Sequence, residues 1–526
     1  MIRLIPCLLV CLCISAFCGG FGHLTKEEKV MDFYQLRRLL EENYGMLDFK
    51  KQEIIKDDYL AFTKKYFIDV SKTTNDLDFY MLLKKYIYDF KDAHLNVIDI
   101  FVNKSAFLPT WFKYVDGKVL LSKVENYGSL EITARPGAEL LEFDGIAVSD
   151  YLAGLAVQIS CGGTETAILG SAVAYLDWRR DGVAWPEAES AVLKFKSYPT
   201  GEIIFNTATW EKKTIDELYR SRKTRFFRSD ITDWGERRPD RCQVPHALFM
   251  MQKELYKGGT DRTLLQKECS RALYNGLTLE VGGLTIGYII VPTYGDKFDP
   301  DGYAATLTAM SGCHGLIIDQ RDNGGGYVTY CYKLASWLTD KELTNSDYSV
   351  RINRAYMSEM QGYMLSSHAA AVKPYYDIVL KNYQEGKKNS DYMPAFMEPK
   401  ISPDPDIKFL KPVVIMINSQ CYSGGDIFPA VIQDNDFSGR VKLFGETTAG
   451  AGGNVNEYGP VSNCEIKLTV TESIIRRTNG KFIENFGTEP DIESPYTQED
   501  LVSESNGVDS YVGKALVELL KMISPL

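Results

Sequence analysis

The residues with the clearest chemical reading are Ser419-Gln-Cys-Tyr-Ser423-Gly424-Gly425-Asp426, which follow the apolar run Pro412-Val-Val-Ile-Met-Ile-Asn418 and precede a second apolar stretch. That order predicts a strand, a tight turn and a helix, with Ser423 at the positive end of the helix dipole. A serine so placed can act as a nucleophile, and the Gly424 amide can face a developing oxyanion. Glycine also lets a substrate backbone approach closely. On its own a Ser-Gly-Gly turn is more often a helix cap.

A second box, Ile318-Asp319-Gln-Arg321-Asp322-Asn323-Gly324-Gly325-Gly326, repeats the strand-to-helix pattern. Its glycines predict exposed amides forming an anion-holding nest. Phosphate is the rival occupant, but the box lacks the Lys-Ser/Thr ending of a P-loop, and Asp319 and Asp322 would repel phosphate. An oxyanion hole fits better.

A nucleophilic serine needs a base, and the chain has only five histidines. His23 is near the terminus, His246 is in a loop-like stretch and His368 in a polar helical setting, while His314 precedes a buried strand and reads as structural. His94, in Asp89-Phe-Lys-Asp92-Ala-His94-Leu, is the remaining candidate; it stands out only jointly with the other two motifs.

These side chains need a scaffold. At 526 residues the chain exceeds one core, and about 100–200 residues per domain suggests three or four units. A hydrophobic fraction of 45% and a charged fraction of 25% are ordinary for a folded protein. A net charge of −11 and a pI near 5.2 argue against nucleic acid as a partner.

Residues 1–20 read as a signal peptide. Arg3 is the positive region, and Leu4 to Phe17 form an apolar run of 14 residues, too short for a ~30 Å membrane core. Secretion to an extracytoplasmic space follows, and no later stretch looks like a membrane span. Lipidation at Cys18 is disfavoured by bulky Phe17 before it. Beyond this segment lie seven cysteines without a C-x-x-C pair, which speaks against a zinc site and predicts mostly buried free thiols with at most one bridge.

Residues 21–106 have helical spacing (Leu36, Leu39, Leu40, Tyr44; then Tyr80, Leu83, Ile87, Phe90) and include the His box. Residues 107–210 show short β-type runs, with a Pro-Gly turn, a strand, an Asp-Gly turn and a helix between Arg135 and Leu152. That order looks like a PDZ domain, which binds extended peptides at a sheet edge. Residues 211–275 carry clustered arginines and read as a linker or a regulatory, processing segment. Residues 276–526 alternate strands and helices and predict an α/β core.

Four of these motifs, in this order, give the chain a resemblance to the C-terminal-processing, or tail-specific, serine protease family. The motifs are the D-x-H box (Asp92-Ala-His94), the PDZ-like segment, the D-x-R-x-N-x-G-G box from Asp319 to Gly326, and the turn at Ser423. The resemblance implies a crotonase/ClpP-like α/β catalytic core with an N-terminal helical domain and an inserted PDZ-like domain. Many members carry a catalytic lysine in the glycine-rich turn, Gly445 to Gly453 here, but Ala451 occupies that place. The likeness is therefore to the tricorn-like branch that uses Ser-His-Glu, whose acid matches Glu484; Glu472 is the alternative acid.

What the resemblance implies is a serine endopeptidase acting on proteins or peptides. Ser423 would attack the carbonyl, His94 act as base, Glu484 orient the imidazole, and the amides of Gly424 and Gly325 bind the oxyanion. No metal or organic cofactor is required. Internal cleavage and a homodimer are suggested by the resemblance alone. A ligand carrier or an inactive PDZ scaffold on the same fold is the competing reading.

Overall fold

The computed structural model describes residues 24–56, 58–98, 104–125, 132–159, 163–180, 184–214, 217 and 273–523. The expected signal segment, Cys18, Cys161, Cys242, Cys269 and nearly all of the arginine-rich stretch lie outside the described residues.

Five-residue apolar runs bounded by turn residues become the centre of a six-stranded sheet. Its order is Gly276–Val281, Leu284–Ile290, Gly315–Asp319, Val413–Ile417, Val441–Gly445 and Ile492–Glu493. The first pair is an antiparallel hairpin and the rest are parallel. Every residue of Gly315–Asp319 and Val413–Ile417 is buried, as a parallel sheet covered on both faces requires.

Alternation divides these side chains between two cores. Leu316, Ile318, Val413 and Ile415 pack with the helices Pro300–Ala309, Val328–Ser336 and Gly424–Gln433. Ile317, Val414 and Met416 face the helix Ser510–Ile523 through Val512, Leu516 and Leu519. The α/β layering read from the sequence is present, and Ser423 begins one of its helices.

The β-rich region forms an antiparallel sheet in the order Thr110–Val115, Lys118–Val124, Glu139–Phe143, Ser190–Lys196, Ile203–Thr209. Two of its turns are Asp-Gly pairs with both residues left-handed, Asp116-Gly117 and Asp144-Gly145, the backbone that a tight hairpin needs. The helices Val148–Ile159 and Glu165–Val173 share its core.

The N-terminal helices are less separate than their spacing suggests. Lys26–Asn43, opened by a Thr25–Glu28 capping box, packs with Tyr59–Val70 and Asp76–Tyr88. Their core also contains Val461, Ile466, Leu468, Val470 and Ile474. The short strand Asn96–Val97, just after the His box, pairs with Leu468–Thr471. The His box is thus anchored to a segment near the other end of the chain.

Candidate active site

Ser423 has φ 57° and ψ −115°, immediately before the helix Gly424–Gln433. A left-handed backbone at a non-glycine residue costs about 1–3 kcal/mol and persists only where its surroundings hold it. The holding groups come from both boxes. Asn418 and Asp322 exchange hydrogen bonds, Asp322 N to Asn418 Oδ1 at 3.0 Å and Asn418 Nδ2 to Asp322 Oδ1 at 2.9 Å. Tyr422 N donates to Asn323 O at 2.9 Å. The glycine box therefore lies flat against the serine turn.

How flat is measured at Gly325, where φ is +82° and an added Cβ would lie 2.6 Å from Ser423 Cβ and 2.7 Å from Gly424 N. The Gly325 amide itself donates to Asn323 Oδ1 at 2.8 Å. Gly325, expected to offer that N–H to an oxyanion, has it engaged by a side chain in this arrangement. What it contributes here is the missing side chain.

His94 reaches the serine turn through Tyr422. The Tyr422 hydroxyl donates to Ala93 O at 2.7 Å, and the His94 ring lies 4.7 Å from the Tyr422 ring, centroid to centroid. Asp92 shapes the turn: Oδ1 accepts the amides of His94 and Leu95 at 2.8 and 3.2 Å. Oδ2 accepts the hydroxyls of Tyr44 and Thr471 at 2.8 and 2.9 Å. Burial lowers the His94 pKa below its ordinary value, opposed by the Asp92 charge, so the ring is held neutral, as a base must be. Its Nδ1 is buried without a hydrogen-bond partner.

Glu484, expected to accept from that ring, is fully buried and is instead bonded to Lys50 Nζ and, at 3.3 Å, to Gly452 N. Burial, joined by the neighbouring Asp92 charge, pushes its pKa up to about 8 against the pull of Lys50. The alternative acid, Glu472, accepts from Asn454, Asn456 and Tyr458.

The glycine-rich turn is fastened by Asp426. Its buried carboxylate, in the first turn of the serine helix, accepts Thr448 Oγ1 and the amides of Gly450 and Ala451, each amide at 3.0 Å. Ala451 is itself buried, its amide held by Asp426. The sequence assigns no role in the site to Asp426, Lys50, Tyr44 or Thr471. Asp426 alone had a local signal, its position three residues after the serine. Of the seven thiols beyond residue 20, Cys313, Cys331, Cys421 and Cys464 are free and buried.

With this geometry in view, residues 285–494 match the profile of Peptidase family S41. The matched segment, which holds the glycine box, Ser423 and Glu484, is similar to the serine peptidases of that family. A protein of Chlamydia trachomatis serovar D is 29% identical to this chain over 516 residues, which is 84% of each chain. One from Chlamydia muridarum is 32% identical over 277 residues, 45% of each. Among solved structures, mature CPAF superposes with a TM-score of 0.76 at 24% identity, covering 95% of this chain and 98% of that one. At that identity the likeness establishes the fold. It extends through the helical and β-rich regions, well beyond the matched S41 segment. Among the described residues, no helix is long and apolar enough to cross a membrane.

Proposed function

We propose that the chain is a secreted endopeptidase that cleaves proteins or peptides by acyl transfer, with Ser423 as nucleophile, His94 as base and Glu484 as the orienting acid. The observation that supports this reading is the Tyr422 latch: one residue before Ser423, its hydroxyl donates to Ala93 O and its ring lies against the buried, neutral His94 ring. Ser423 Oγ attacks the carbonyl carbon as its proton passes to His94 Nε2. The carbonyl electron pair moves onto oxygen, where the Gly424 amide receives it, joined by the Gly325 amide once that N–H leaves Asn323 Oδ1; such a donor is typically worth about 3–4 kcal/mol. The imidazolium then protonates the leaving amine, and water, activated by the same base, hydrolyses the acyl-enzyme.

In this reading residues 107–210 are the PDZ-like, peptide-docking unit and 276–526 the catalytic core, with 461–474 completing the helical layer of 21–106. Export through residues 1–20 and a homodimer belong to the same proposal. Peptide chemistry of this kind requires no cofactor.

A fluorophosphonate tests it on the full chain without its first 20 residues. Label on Ser423, absent in Ser423→Ala, is expected, and an unlabelled Ser423 would overturn the reading. His94→Ala is expected to lower kcat/KM by roughly 10⁴-fold or more, as loss of a triad base does. Near-normal activity in that variant would point to a lysine base instead.

A further inference from the structure

Lys50 ends the single-turn helix Leu47–Lys50 and its side chain is fully buried. An unpaired ammonium there would cost several kcal/mol, so its partners define its role. Nζ donates to the Glu484 carboxylate, to Asn485 Oδ1 at 2.6 Å and to Lys91 O at 3.0 Å. An ammonium has three protons, and all three go to segments that carry Glu484 or lead into His94. Asn485 strengthens the tie, its Nδ2 donating to Lys91 O and Gly163 O at 2.8 Å each.

The groups facing Glu484 are Lys50 from the single-turn helix, Asp92 from the His box and Tyr44 from the end of the first helix. Two carboxylates this deeply buried cannot both stay ionised without a counter-charge. Tyr44 is neutral, burial raising it well above its ordinary range. Lys50 is the only cation in the set.

We propose that Lys50 is a positioning residue for the Ser423 reaction: its ammonium favours the carboxylate form of Glu484 beside Asp92, so that negative charge is available to the His94 imidazolium. Without Lys50, Glu484 ionises only at higher pH, and a neutral acid stabilises an imidazolium poorly. The inference rests on the Ser423–His94–Glu484 reading, and the variants below separate the two.

The test follows kcat/KM and the fluorophosphonate labelling rate from about pH 6 to 10 in Lys50→Met, Lys50→Arg, Glu484→Gln and the Lys50→Met/Glu484→Gln double variant, each with its melting temperature. In Lys50→Met the acidic limb is expected to move up by about one pH unit or more, with activity recovering at high pH. Added to Glu484→Gln, Lys50→Met is expected to change activity less than about threefold, because both act through one carboxylate. A folded Lys50→Met with the wild-type limb, or a fully multiplicative double variant, would overturn the inference. Where Lys50→Met does not fold, Lys50→Arg carries the test: its limb is expected within about half a unit of wild type, and a larger shift overturns the charge argument. Full activity in Glu484→Gln would instead sink the triad itself.

Discussion

Gly325→Ala tests the contact between the glycine box and the nucleophile. The new methyl would lie 2.6 Å from both Ser423 Cβ and Tyr422 O, and 2.7 Å from Gly424 N. Carbon atoms settle at about 3.5–4.0 Å, so the serine turn and the box must separate by about 1 Å. Two of the three neighbours are backbone atoms, which cannot swing aside. A left-handed alanine adds about 1–2 kcal/mol of backbone strain. A 1 Å misplacement of a reacting group costs about 10²-fold, which is about 2.7 kcal/mol of barrier. The expected outcome is a kcat/KM and labelling rate about 100-fold below wild type, with melting lowered by only a few degrees. Gly312→Ala is the control, since a methyl there meets nothing within 4 Å. If Gly325→Ala is labelled at the wild-type rate, the box does not position the serine and the argument fails.

Asp426 makes stability depend on pH. Burial raises it from 3.8 to about 7, so the folded chain holds a proton that the unfolded chain releases. Its contribution to stability is then greatest below about pH 4 and is lost as pH rises to about 7, by at most about 4 kcal/mol. Urea unfolding of Ser423→Ala with and without Asp426→Asn measures this; an identical pH slope in both would refute it. At Gly163, an added Cβ would lie 1.8 Å from Gly450 O, so Gly163→Ala is expected to lower both the melting temperature and labelling, the latter by about tenfold or more. Unchanged values would mean that this segment does not dock on the glycine-rich turn. Ala451→Lys is expected to destabilise the chain and not to restore labelling in a His94→Ala background, because the site is closed and its amide is held by Asp426. Recovery of labelling would revive a lysine mechanism.

The strands at Gly315–Asp319 and Val413–Ile417 were legible because unbroken apolar runs between turn residues have few other uses. Ser423 and the glycine box were legible for the same reason, since each follows such a run. Pairings were not. Lys50 and Glu484 are 434 residues apart, and a lysine after Phe49 reads locally as surface. Nor could spacing reveal that Val461–Ile474 completes the N-terminal helical core, because either segment alone has an unremarkable amphipathic pattern. The Asn323 bond to the Gly325 amide was hidden for a different reason: sequence places a glycine in a box but not the direction of its N–H.

The anchoring of the His box carries a consequence for biosynthesis. Thr469 Oγ1 holds His94 O at 2.7 Å across 375 residues, and Thr471 Oγ1 holds Asp92. During translation the histidine loop emerges early, yet the strand that shapes it is added only after the nucleophile has been made. A growing chain therefore lacks these ties to the histidine loop until residue 471 has left the ribosome and folded back. On the proposed mechanism, ribosome-bound intermediates that already contain Ser423 are expected to be inert toward themselves and toward their neighbours.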